Sequence, residues 1–504
     1  MLTPGLMLPA ERIPVIIGVG EITERSNIPV DAISPVALMR MALLAADEDT
    51  QGSSLLKQLD SLDIVNSITC RYENLEDQLS IELGFKPHRV VHGPVGGESP
   101  LRYIHEAAAR IILGESQVAA VCGAEAMYSQ AAARRAGVEL GWPEQDTSWK
   151  EMLELVCQPE AVRLGVAEPT SVYPFYENAL QAANQQTTAE SRADSANIWA
   201  RYSAVASTNP HAWNQKAFDP EQIGTPSAEN RVIAWPYTKR MVANPMVNQG
   251  CAILVTSLAK ARAAGVAEEK IVHIWAGASA LETRDYLKRE SFHRSPAMEA
   301  VLNYCREVAG EDFAVVELYS CFPCVPKMAA KVLDLAPEIE PTVTGGLSFF
   351  GAPLNNYMSH ATAAMVRQLR TKRGQVGLLY GQGEFVTKHH GLVLASKADD
   401  CCRLALEHSV QEVADTLRDS SPPFVERAQG VAVVETHTVL FSREGAPLHG
   451  VVILRTSRGL RTIAKVLASD VHTLNLLTHP QKSPVGLSGS LRVGDDGGQE
   501  WTAE

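Results

Sequence analysis

Four short segments carry the residues that could do chemistry. They are Gly96-Gly97-Glu98-Ser99-Pro100, Glu317-Leu318-Tyr319-Ser320-Cys321-Phe322, Gly351-Ala352-Pro353 and Gly381-Gln382-Gly383-Glu384. Tyr319 is one acid–base candidate, because a phenol with an ordinary pKa of about 10 can donate or relay a proton. Glu384 directly follows a Gly-x-Gly turn and is a candidate base. The ligand-contact candidates are Gly97, Glu98, Ser99, Ser320, Ala352, Tyr357, Gly381 and Gly383. The glycines would let a ligand approach the backbone closely, or they are simply tight turns. A helix starting at Ser99 and Pro100 would aim backbone N–H groups and a positive dipole end at its loop, which suits a carbonyl oxygen or an oxyanion. His360, His389 and His390 lie near these segments. Cys321-x-x-Cys324 has the spacing of a redox pair or half a zinc site. No second ligand pair accompanies it, so no metal is expected.

An α/β alternation must position these segments. Ile13–Val19, Leu62–Val65 and Val118–Cys122 are continuous apolar runs, as in strands buried on both faces. Leu101, Ile104, Ala108, Ile111 and Ile112 recur at helical spacing between the last two. Ser99 is the expected N-cap and Pro100 the first helical residue. Residues 130–245 break the alternation with helical patterns, Pro-centred turns and aromatics. They read as an insertion over the sheet's active edge, or as a plain helical subdomain. The pattern then restarts with strands at Lys270–Ala276, Ala314–Leu318 and Val376–Tyr380. A Gly/Pro-rich loop at 344–356 precedes a helix bearing Met358, Ala361, Met365 and Leu369. Loop, helix, strand and glycine follow in the order seen at 93–123, which implies an internal duplication. After the linker RDSSPP, residues from about 430 alternate apolar and polar with a turn at Glu444-Gly445, predicting a small antiparallel barrel. The last residues, GSLRVGDDGGQEWTAE, are expected to fray.

Composition fits an ordinary soluble globular protein of several domains: 504 residues, 45% hydrophobic and 20% charged. The net charge of −13 comes without a Lys/Arg-rich block and argues against bulk nucleic-acid binding. No apolar run approaches the ~20 residues of a membrane span, and the start lacks an export signal. A cytoplasmic location is expected, with the nine cysteines as free thiols.

The segment GPVGGESPLRYIHEAAARIILGESQVAAVCGAEAMYS resembles the first catalytic segment of the thiolase superfamily. Counted back from Glu125 without a gap, the nucleophilic cysteine's position holds Gly97. The other three loops also match in frame. Tyr319 and Ser320 stand for the His/Asn and Asp/Glu of the second motif, Ala352 for the histidine of Gly-His-Pro, and Gly381 for the second cysteine. GGESP, VYPFYENAL, NPHAW, NRVIAWPYTKRM, VNQG and ELYSCFP look most like the type 1 thiolase-like proteins, relatives of sterol-carrier-protein thiolases that are usually called acetyl-CoA acetyltransferases. The resemblance implies a duplicated, layered α/β/α/β/α thiolase fold. Its halves would span 1–269, with the insertion at about 130–245, and 270–400, with an additional OB-like barrel at 405–504. It implies acyl-CoA or CoA as ligand, no other cofactor, a place in lipid metabolism, and either a monomer or a homodimer.

Thiolase chemistry needs a thiolate, a histidine to activate it and a second cysteine for proton transfer. None of the three is present, so conventional thiolysis or condensation is not expected. Three functions stay open. One is an altered acyltransferase or aldolase-type enzyme that forms no acyl-enzyme. Thiolase-like aldolases use tyrosines near Tyr319, although Tyr319 can equally fill the missing histidine's space. The second is a non-catalytic acyl-CoA-binding or scaffold protein. The third, nucleic-acid binding by the barrel, sits poorly with nine Lys/Arg against twelve Asp/Glu in residues 405–504. The only local basic cluster there is Arg455, Arg458, Arg461 and Lys465, which could equally meet CoA phosphates or solvent.

Overall fold

Strand β1 (Pro14–Thr23) lies in the middle of a nine-stranded sheet, with its first eight residues buried. The structure is a computed structural model and describes residues 6–26, 28–147, 153, 155–397, 401–402 and 404–504. The chain continues through α1 (Pro35–Asp49), β2 (Ser61–Ile64), β3 (Arg89–His92), α2 (Ser99–Leu113) and β4 (Val118–Ala126). It leaves the sheet for helices α3 (Pro169–Ala183) and α4 (Thr188–Thr208), then returns as β5 (Asn248–Ser257). A second pass follows: β6 (Val272–Leu281), α5 (Pro296–Ala309), β7 (Val315–Glu317), α6 (Tyr357–Thr371), β8 (Val376–Gly383) and β9 (Lys388–Ala395).

The sheet order is β7-β8-β9-β6-β1-β5-β4-β2-β3. In the first pass β2 is parallel to β4, β4 antiparallel to β5, and β5 antiparallel to β1. In the second, β7 is parallel to β8, β8 antiparallel to β9, and β9 antiparallel to β6. The topology is therefore duplicated. The passes join where Val15 and Ile16 pair with His273 and Val272. Both α1 and α5 open with Ser-Pro, and each serine (Ser34, Ser295) accepts a hydrogen bond from the backbone N–H three residues on. Apart from the edge strand β3, the strands are largely buried on both faces, which explains the continuous apolar runs. Among the described residues, no helix is long and apolar enough to cross a membrane.

The C-terminal strands are β10 (Gly430–Phe441), β11 (Pro447–Thr456), β12 (Arg461–Val466), β13 (Ser488–Val493) and β14 (Gln499–Ala503). They close a five-stranded ring in the order β10-β11-β12-β14-β13 and back to β10. Helix α7 (Val471–Leu477) lies between β12 and β13. This is the small barrel expected from the alternation, although β12 and β14 pair in parallel rather than antiparallel.

Four expectations need correction. The C-terminal end does not fray: β13 and β14 complete the barrel, and Trp501, 1% exposed, packs in its core. Ser99 is the first residue of α2 rather than its N-cap; Glu98 precedes the helix without a side-chain cap bond. Gly381 and Gly383 belong to β8 rather than to the turn beyond it. The insertion is not only helical: its hairpin of Val232–Ala234 and Tyr237–Thr238 extends the barrel sheet, Ala234 pairing with Leu440.

Candidate functional site

The four loops meet. A cleft of about 440 Å3 is lined by Gly97 from the first loop, Tyr319, Cys321 and Phe322 from the second, Ala352, Leu354 and Asn355 from the third, and Gln382, Gly383 and Glu384 from the fourth. Ile68 and Phe385 join them, and the insertion adds Leu153, Val156, Ala167 and Tyr173. Cross-bonds fix the loops on one another. Gly96 N–H donates to Asn355 Oδ1 (3.0 Å), Asn355 Nδ2 to Asn66 O (3.2 Å), and Asn356 Nδ2 to Gly123 O (2.7 Å).

Tyr319 fills the space beside Gly97. A Cβ built on Gly97 would overlap the Tyr319 hydroxyl and lie 2.5 Å from the Gln382 carbonyl oxygen. Position 97 must therefore be glycine while Tyr319 stands there. The Tyr319 hydroxyl has no hydrogen-bond partner among the described residues, and burial pushes its pKa well above that of a free phenol. It is a neutral donor. Its backbone is left-handed (φ 51°), as are those of the cleft residues Leu354 (φ 44°) and Glu384 (φ 56°). Non-glycine residues hold this conformation only where surrounding structure over-determines it.

Glu384 is tied down. Its carboxylate pairs with Arg284, lies 3.1 Å from Lys388 Nζ and accepts from Thr387 Oγ1 (2.7 Å). Burial would raise its pKa, but Arg284 and Lys388 override that and hold it low. Glu98 differs. It is buried behind Gly96 and Gly383, its Oε2 has no partner, and burial raises its pKa. Cys321 accepts from Gln382 Nε2 (3.2 Å), and burial pushes the thiol up to about 12. It stays protonated and offers no thiolate.

Several expected contact residues lie behind the wall. Ser320 Oγ is fully buried and accepts from Leu347 N–H (3.2 Å). Tyr357 Oη is engaged with Glu317 (3.0 Å) and Thr344 (2.7 Å). Ser99 and Gly381 do not line the cleft either. The residues missed were Tyr173 and Tyr176, from the VYPFYEN segment of α3. Tyr173 Oη donates to Glu384 O (2.9 Å) and Tyr176 Oη to Phe385 O (2.6 Å). Their i, i+3 spacing on a helix was the available signal.

Below the third loop, Glu21 of β1 accepts from His360 Nδ1 (2.7 Å) and pairs with Arg367. Glu21, Cys251 and His360 bring ligand-type atoms within 4.8 Å of one another, but Arg367 already supplies positive charge there. Burial would raise the Glu21 pKa; the His360 hydrogen bond and Arg367 override it, to about 2. A folded pKa below the unfolded 4.5 gives stability that is present above pH 4.5 and lost as pH falls through 2. The expected loss is about 3 kcal/mol. Urea unfolding of wild type and Glu21→Gln across that window tests this. The variant should lack this part of the acid dependence, and parallel curves would refute it.

Residues 410–498 match the family model described as the additional C-terminal domain of type 1 thiolase-like proteins. The crystal structure of a monomeric SCP2-thiolase-like protein type 1 from Mycobacterium smegmatis superimposes with a TM-score of 0.82 and 28% identity, covering 98% of this chain and 99% of that one. Over nearly its whole length the chain is similar to a type 1 thiolase-like protein, and its C-terminal residues match that group's additional domain. Two more distant structures share the thiolase-like fold. Human mitochondrial 3-ketoacyl-CoA thiolase has a TM-score of 0.56 and 15% identity, over 77% of this chain and 100% of that one. The Ltp2-ChsH2(DUF35) aldolase has 0.57 and 17%, over the same shares. No curated protein matches. In this thiolase-like protein the four loops meet at one cleft, which Gly97, Ala352 and Gly383 help to line.

Proposed function

We propose that this thiolase-like protein binds an acyl-CoA thioester in the four-loop cleft and acts on it, if at all, without an acyl-enzyme. The observation that carries this is the Tyr319 hydroxyl, unpartnered and neutral, in the volume a nucleophilic cysteine would need. The Gly97 N–H also has no acceptor among the described residues. A thioester oxygen placed between them would receive two hydrogen bonds at the start of α2. Carbon–carbon chemistry of the aldolase type fits such donors, because it needs polarisation and proton transfer but no covalent intermediate. The second reading is binding without turnover. It is favoured by Glu384, whose lone pairs are taken by Arg284, Lys388 and Thr387, and by the protonated Cys321. A cytoplasmic monomer in lipid metabolism completes the proposal; the Mycobacterium smegmatis neighbour is monomeric.

Calorimetric titration with CoA and with acyl-, 3-ketoacyl- and 3-hydroxyacyl-CoAs, followed by mass spectrometry of each mixture, tests the proposal. Micromolar binding of thioesters is expected. Tyr319→Phe should weaken it about tenfold, the worth of one hydrogen bond, and should lower any turnover by roughly a hundredfold or more. Thioesters bound but recovered intact would favour the second reading. Absence of binding to the whole panel would refute both.

A further inference from the structure

Barrels of this topology bind their ligands on the outer face of the second and third strands. In this chain that face is not free. Along β11 and β12, Val452, Leu454, Ala464 and Val466 point into the barrel's own core. The alternate residues Val451, Ile453 and Ile463 are fully buried in the main core of the molecule instead. Two members of the basic cluster, Arg455 and Arg461, are engaged by Glu435, whereas Arg458 stays exposed. Arg461, at the start of β12, has no exposure. Its guanidinium pairs with Glu435 and donates to Leu287 O (2.9 Å), Arg289 O and Glu290 O (3.3 Å). It also lies 5.0 Å from the centre of the Phe292 ring.

The segment that Arg461 holds is joined to the cleft. Arg289 Nη1 donates to the carbonyls of Phe385 (3.4 Å) and Val386. The preceding carbonyl, Glu384 O, takes the Tyr173 hydroxyl, and Tyr176 shares Phe385 O. The barrel grips that helix too, through Thr436 Oγ1 to Phe175 O (2.6 Å) and Asn178 Nδ2 to His437 O (2.8 Å). The bonds of Arg289, Tyr173 and Tyr176 end on the turn between β8 and β9, and the barrel's bonds hold the segment and the helix that carry them. Glu384 (φ 56°) and Val386 (φ 60°) are both left-handed in that turn, and for a β-branched residue this is strained. Gly383, Glu384 and Phe385 form one wall of the cleft.

We infer that the appended barrel is an intramolecular buttress of the cleft: it uses its ligand face to hold the strained 383–387 turn, and Arg461 is the positioning residue, acting through Arg289. The physical reason is that left-handed Glu384 and Val386 relax to ordinary backbone once their carbonyls are free, and that relaxation moves the cleft wall. The inference concerns the wall and not what binds to it, so it stands apart from the acyl-CoA reading.

Hydrogen exchange read by mass spectrometry on the full chain tests it. Val386 N–H donates to Gln382 Oε1 (3.0 Å) and Thr387 N–H to Gly383 O (3.3 Å), so both report on the turn. Arg461→Met keeps the apolar stem and removes the fork, and Arg455 still pairs with Glu435. Exchange at residues 384–388 should rise at least tenfold while the β10–β11 amides stay at wild-type rates. Leu477→Ala, a cavity in the barrel core away from the clamp, should speed barrel exchange and leave the turn protected. Should Arg461→Met not fold, Arg289→Met cuts the last link and should free the turn alone. A turn that keeps its protection in the arginine variants, or that responds equally to Leu477→Ala, would overturn the inference.

Discussion

Gly97→Cys will destabilise this protein and will not give it a thiolase nucleophile. The new Cβ overlaps the Tyr319 hydroxyl and lies 2.9 Å from Tyr319 Cζ and 2.5 Å from the Gln382 carbonyl oxygen. A ring can tilt, but the Gln382 carbonyl belongs to the last residues of β8, still paired with β9, and moves only with that strand end. Overpacking of this kind costs typically 1–3 kcal/mol, and the upper part of that range, about 3 kcal/mol, is expected here. Adding Tyr319→Ala removes one clash and leaves the other, so the double variant should recover only part of the loss. Even a tolerated thiol would face Ala352, where a base is needed, in a cleft whose existing Cys321 is pushed up to about 12 by burial. Urea midpoints of the single and double variants, with mass spectrometry after incubation with acetyl-CoA, test this. A fully stable Gly97→Cys protein that carries an acetyl thioester would end the argument that Tyr319 fills the space beside Gly97.

Glu125→Gln is expected to cost about 2–3 kcal/mol, although it is nearly isosteric. Glu125 is fully buried at the end of β4. One oxygen accepts from Ile68 N–H (2.7 Å), and the other from Thr69 N–H (2.8 Å), Thr69 Oγ1 (2.5 Å) and Ser67 Oγ (3.3 Å). Burial outweighs these donors and raises its pKa to about 7. An amide has only one acceptor oxygen. Whichever way the substituted side chain turned, its NH2 would meet a donor and leave at least one backbone N–H of the 68–69 pair unsatisfied in the interior. Ile68 lines the cleft and Asn66 holds Asn355, so the damage should reach the site. The check is the urea midpoint together with exchange at residues 66–70. A change within about 0.5 kcal/mol, the usual range of an inconsequential surface substitution, would mean that Glu125 does not tie this loop.

Glu125 also shows what a motif can and cannot say. Counting back from Gly-Ala-Glu-Ala-Met drew attention to Gly97, and Gly97 lines the cleft. The role of the glutamate was hidden, because its partners lie 56 to 58 residues away on a loop without regular pattern. Glu384 was hidden in the same way. Its position after Gly-x-Gly made it look like a base, whereas Arg284, 100 residues distant in sequence, occupies it. Tyr319 was legible because its frame, between Glu317 and Phe322, is local. Tyr357 and Ser320 share local frames with it, yet their side chains turn behind the wall, and no sequence spacing reports that direction.

The elements and their order could be read from the chain alone, because burial on both faces of a strand and on one face of a helix leaves a periodic record. So could the duplication and the C-terminal barrel. The folded chain was needed to establish that Tyr319 fills the space beside Gly97, that Glu384 is neutralised, that the last strands close the barrel, and that the barrel faces inward. Each of these depends on distances between residues far apart in the chain, and polar pairing and steric exclusion at that range leave no periodic trace in the sequence.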